Sequence, residues 1–294
     1  MNTMNRLCAL ALCGLMAVPV LAVDEVAVEE QPTWEVGFAA GVDFCSRQLT
    51  YGLIDNDHAI LTPSAEISFG NEDWFTLALG VEAIFDTTNW GAKDGGYNDR
   101  RYKYQELALG LTLSRTWDTA DFIGSSLDTA INYTYEYHPR ACKKVAEEYA
   151  NPDTQWLNLE ISAGDYWLVP TLALEYQLTD QGADAKGGMY LTFDLSHEFD
   201  IGASVGLDEG TVTLIPTLGI AAGNKQRNRA DEISDSTIML RDAYGTLELN
   251  IAPCDYFSIT PYVGFNRQLG PAAREATGDD AFVTYFGIGL SAEF

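Results

Sequence analysis

Few residues of this chain have the types and spacing that catalysis requires. Thr134, Glu136 and His138 stand at i, i+2 and i+4. On an extended strand they share one face, where a carboxylate could orient an imidazole for general-base work. No Ser nucleophile or water-activating metal ligand adjoins the set, so a lipid hydrolase or deacylase remains only an alternative. His197 has Ser196 beside it, but adjacent strand residues point to opposite faces, and no nucleophile stands at i±2. His58 has no recognisable partner. With 3 His in 294 residues, a His-based metal site is not expected, nor any cofactor.

Carboxylates are the abundant chemical group. Asp and Glu number 43 against 17 Lys and Arg, for a formal charge of −26, which argues against a nucleic-acid partner. Aromatics at 12% exclude a disordered composition. What matters is how these acids are spaced, and that depends on the elements carrying them.

Residues 1–22 read as a signal peptide: Arg6, an apolar run from Leu7 to Ala22, and the small-residue pattern Val20-Leu21-Ala22. The run is too short for a membrane helix. Residues 23–33 form a short periplasmic segment, and 34–294 the remaining domain. There the period is two. Trp34, Val36, Phe38, Ala40, Val42 and Phe44 alternate with Glu35, Gly37, Ala39, Gly41 and Asp43, and residues 189–199 and 284–294 repeat the pattern. Twelve strands are expected, one of them running over 188–206 without a turn at His197–Asp200. The connections 46–58, 87–101, 139–153, 178–187, 223–242 and 269–283 are long. Those at 70–73, 115–124, 163–166, 207–210 and 253–256 are mostly short. Long loops at one end and short turns at the other, with an even strand count, predict an all-β, closed antiparallel transmembrane barrel. Trp34, Trp74, Trp156 and Trp167 are expected at its interfaces. Pro63, Pro170, Pro216 and Pro261 share the lipid-facing parity and are expected at bulges.

The last strand, Phe286-x-Ile288-x-Leu290-x-Ala292-x-Phe294, resembles the terminal strand of Gram-negative outer-membrane proteins. The stretch Gly41–Gly52, with Ser46-Arg47 and Tyr51-Gly52, resembles the opening of small porin families. The resemblance implies an outer-membrane address and a terminal strand read by the barrel-insertion machinery.

Parity assigns Asp43, Glu66, Glu82, Glu106, Glu136, Glu160, Glu175, Asp194 and Glu248 to the lumen as candidate pore-lining residues. Almost no inward Lys or Arg is expected within strands. After residue 22, basic residues other than Arg115 fall in loops or at loop-side strand ends, including Arg140, Lys143 and Lys144 in one loop and Lys225, Arg227 and Arg229 in another. These are candidates for lipopolysaccharide phosphates. Val145, Ala146, Tyr149 and Ala150 suggest a short helix in the 139–153 loop. Cys45 and Cys142 lie at the same end and are a disulfide candidate, whereas Cys254 sits at the opposite rim. The expected function is a non-enzymatic, porin-like channel for small solutes, biased towards cations by its acidic lumen. The alternatives are a lipid hydrolase barrel and a structural barrel with a closed bore.

Overall fold

The computed structural model describes residues 34–50, 53–56, 59–71, 74–87, 104–137, 153–179, 186–230, 238–270, 274 and 281–294. The expected signal peptide and 23–33 segment, His58, His138, Cys142 and the expected 139–153 helix (but for Asp153) lie outside them. In the unit from Trp34 to Phe294 most of the described strands form one continuous antiparallel sheet.

Its strands are β1 (Glu35–Cys45), β4 (Ile60–Asn71), β5 (Phe75–Asp86), β6 (Tyr104–Trp117), β7 (Leu127–Tyr137), β8 (Thr154–Ser162) and β9 (Val169–Gln177), followed by β10 (Met189–Ser196) with β11 (Phe199–Asp200), then β12 (Val212–Asn224), β13 (Ile238–Cys254), β14 (Phe257–Gln268) and β15 (Phe282–Glu293). A separate hairpin of β2 (Gln48–Thr50) and β3 (Leu53–Asn56) follows β1. Since β10 and β11 share one register against β12, they are a single interrupted strand, and twelve strands form the wall. The first and last close it: Asp43 pairs with Thr62 on one side and Gly289 on the other. Each neighbour pairs with the next in sequence, as hydrocarbon requires, because no edge is left with unsatisfied backbone groups.

The outward face follows from the same pairing. Val36 is 68% exposed, Leu79 56%, Leu218 62% and Phe286 61%. Such exposure of large apolar side chains around the whole wall is the surface that a membrane covers. Trp34, Trp74 and Trp167 are exposed at strand ends, with Trp34 stacked on Phe69 at 4.9 Å. Trp156 departs from the interfacial expectation. It pairs with Thr134 and Gln177 on the inward face and is buried.

Three boundaries also differ from the alternation. The strand expected over 188–206 stops at Asp200, where the carboxylate accepts N–H bonds from Ala203 at 3.0 Å and Gly210 at 3.2 Å, and a short helix, α2 (Gly202–Val205), follows. Another short helix, α1 (Ala120–Ile123), occupies the turn after β6. The expected loop 223–242 holds a third, α3 (Lys225–Ala230), while β13 begins at Ile238. Asn224 Oδ1 starts α3 by accepting the Arg227 N–H at 3.0 Å. The prolines do not shift the register: each pairs in step with one neighbouring strand, while the ladder to the other neighbour skips a pair at Pro63 and at Pro261, where proline has no N–H to donate. Their carbonyls still serve the ladder; Pro170 accepts from Ala163 and Pro216 from His197, both at 3.2 Å. The register shifts instead at Ala221/Ala222, Ile84/Phe85 and Ile251/Cys254.

Candidate functional site

Directly opposed residues of an antiparallel sheet share a face, so the inward set can be followed around the wall. Asp43 lies on it with Glu66 and Glu82, since 43 opposes Thr62, 39 opposes Glu66, and Ser64 opposes Glu82. Glu106 opposes Ile84, and Glu136 opposes both Ala108 and Thr154. Glu160 opposes Ala130 and Ala173; Glu175 opposes Asn158 and Tyr190. Asp194 opposes Gly219, and Glu248 opposes Tyr262. All nine stand on the face away from the apolar belt.

The two halves of the lumen are unlike. Along β1 and β4–β7 the inward residues include Ala39, Gly41, Ser64, Gly80, Ala108 and Gly110, and with Glu66 and Glu82 they line a cavity of about 450 Å³. Along β10–β15 the inward residues are bulky. Tyr244 stands directly across from Gly219, Tyr262 from Gly287 and Tyr285 from Gly264. A Cβ on any of these glycines would run into the tyrosine ring, so the rings lie flat over them. The Tyr262 hydroxyl donates to Asp43 at 2.8 Å, and Tyr244 bonds Asp194. Tyr190 donates to Asp242 at 3.0 Å, whose carboxylate also accepts from Asn266 at 2.9 Å.

At the loop-side end the inward residues are closely packed. Thr154, Gln177, Arg241, Asp242 and Gln268 are each at most 1% exposed, and Asn228 and Arg227 of α3 are buried among them. Arg227 Nη1 donates to Gln177 Oε1 at 3.2 Å and its guanidinium lies 5.6 Å from the Trp156 ring. Asn228 donates to the Gly223 carbonyl at 3.0 Å. Cys45, Ile60 and Ile84 form a buried apolar cluster on the other side, against Tyr262 and Tyr285. The loop-side strand ends are therefore densely packed on their inward face.

This corrects the expectation that strands bring almost no base inward. Arg241 is the extra residue of the bulge where Ala221 opposes Asp242 and Ala222 opposes Leu240. A bulge puts two successive residues on one face, so Arg241 and Asp242 both turn into the lumen. Arg227 arrives there because α3 folds inward. Period-two counting has no means of seeing either.

The remaining candidates are tied into structure. Thr154 donates to Glu136, and Thr134 to Asn132 at 2.5 Å. His197 contacts the Trp167 carbonyl through Nδ1 and packs between the Trp167 and Phe199 rings. The Cys45 thiol donates to the Arg47 carbonyl at 2.9 Å; Cys142 lies outside the described residues. Among the described residues no group of three or more His, Cys, Asp or Glu is placed to hold a metal. At the turn side, Asp165 accepts the Ser126 N–H at 2.5 Å, and the Ser125 hydroxyl accepts the Asp165 N–H at 3.0 Å, joining two neighbouring turns. The Ser126 bonds hold the Asp165 carboxyl below the usual range.

Closed wall, apolar belt and acidic interior together define a transmembrane β-barrel of the outer-membrane class. No family model and no curated protein sequence matches the chain. Among solved structures it is similar to an outer membrane channel from Pseudomonas putida F1, at 12% identity and a TM-score of 0.47, over 93% of this chain and 100% of that one. It is similar also to NanC porin, at 10% identity and TM-score 0.45 over 86% and 98% of the two chains. KdgM porin gives 10% identity and TM-score 0.43 over 88% and 99%.

Proposed function

We propose that the barrel is a porin-like channel for passive diffusion of small solutes across the outer membrane, with a bias towards cations. The observation that carries this reading is the cavity of about 450 Å³ inside the closed wall, with Glu66 and Glu82 on its surface and glycine, alanine and serine around them. Carboxylates in a dry interior would be held neutral or need partners, so an interior this acidic favours water and counter-ions. Fields from several carboxylates add in a low-dielectric tube, which raises local cation concentration. Arg227 and Arg241 oppose that bias at the mouth, so the selectivity is expected to be moderate.

This packing at the loop-side end favours a second reading, a barrel whose bore stays shut. Purified protein in planar bilayers separates the two. The channel reading expects discrete conductance steps whose reversal potential in a salt gradient favours cations, with the preference weakened by Glu66→Gln, Glu160→Gln and Glu248→Gln. Anion preference would refute the bias; absence of current, even after α3 is replaced by a glycine-serine linker, would refute the channel.

A further inference from the structure

Two inward aspartates share an arrangement that the acidic-lumen picture does not use. Tyr262 on β14 lies across Gly287 on β15 and bonds Asp43 on β1, the next strand along, at 2.8 Å. Tyr244 on β13 lies across Gly219 on β12 and bonds Asp194 on β10, again the next strand along. Each is a span of three strands: a ring, a glycine that makes room for it, and an acceptor that catches its hydroxyl. The glycine is needed because any Cβ at 287 or 219 would occupy the place of the ring. The aspartate is needed because a tyrosine with only a glycine beneath it has free χ1 wells that point into the bore.

We infer that Tyr262 and Tyr244 are specificity-determining residues that set the aperture of the channel, and that Asp43 and Asp194 serve as their anchors rather than as free charges. The inference rests on the channel reading. Held flat, the rings leave the cavity on the small-residue wall open. Released, Tyr262 swings towards that cavity, because Asp43 adjoins Gly41 and Ala39, which line it. Solutes are then selected by cross-section, not only by charge.

The test is unitary conductance of the full barrel in planar bilayers, together with the largest polyethylene glycol that still lowers it. Tyr262→Phe and Asp43→Ala each free the ring, and each is expected to lower conductance by about 1.5-fold or more and to add open-channel noise. Tyr262→Ala removes the ring and is expected to raise conductance and admit a larger polymer. Asp43→Asn keeps an acceptor and is expected to restore most of what Asp43→Ala loses. Opposite signs for Tyr262→Phe and Tyr262→Ala support the inference. Wild-type conductance in both, or a shift of the same sign in both, overturns it while leaving the channel reading intact. A barrel that passes no current either with α3 intact or with α3 replaced by a glycine-serine linker overturns the channel reading and this inference with it.

Discussion

Tyr285 lies over Gly264 so closely that a methyl group at 264 would have to displace the ring. Gly264→Ala is therefore expected to destabilise the barrel by about 1–3 kcal/mol, the usual cost of overpacking. Urea midpoints of the refolded protein measure it. Because ring and methyl compete for one space, adding Tyr285→Ala should cost less than the sum of the two single changes. Asp165 makes a second residue-scale prediction. Its carboxyl is held low, chiefly by the Ser126 N–H, then by the Ser126 hydroxyl. A lowered value in the folded state contributes stability above the ordinary carboxylate value of about 4, lost as pH falls through the lowered one. Protection of the Ser126 amide from hydrogen exchange should thus exceed that of Asp165→Asn at pH 7. The difference should shrink below about pH 4. Equal protection at both values would show that the charge is irrelevant to the turn.

At the scale of elements, the wall was legible in the sequence and the mouth was not. Alternation of apolar and polar types specifies a lipid face and a lumen face, and loop lengths specify which strand ends meet; both survive small boundary errors. Alternation fails where the backbone departs from period two. Arg241 looked like a loop residue because its bulge breaks the pattern, and α3 was invisible because six residues are too few to show helical periodicity. Trp156 was misread for another reason: a tryptophan near a strand end usually marks the interface, and only its pairing with Gln177 shows that it faces inward. The tyrosine spans needed strand register, which no single strand contains. The bulge yields its own prediction. Deleting Arg241 leaves Ala221 opposite Asp242 and Ala222 opposite Leu240, so the strand becomes regular without slipping. The deletion variant should refold with the same heat-modifiable mobility shift as the parent and show a wider mouth as higher conductance. Failure to refold would mean that the guanidinium is needed to hold the layer together.

For the whole molecule, the outward and inward faces have opposite tolerances for charge. Leu111 is on the apolar belt of β6, and Thr112 is its inward neighbour. Leu111→Arg should cost about 2–4 kcal/mol near the bilayer midplane, and Thr112→Arg far less, measured by folding into lipid vesicles. The formal charge of −26 then acquires a location. Several of its carboxylates stand on the inward face of the closed wall, Asp43 and Asp194 accept bonds from tyrosines, and a packed layer with Arg227 and Arg241 stands at the loop-side end. On the proposed channel reading, the carboxylates without such a role meet water and ions. Reversal potential in a salt gradient across a planar bilayer decides it: stepwise currents with a cation-favouring reversal potential are expected, and a bilayer silent both with α3 intact and with α3 replaced refutes the channel.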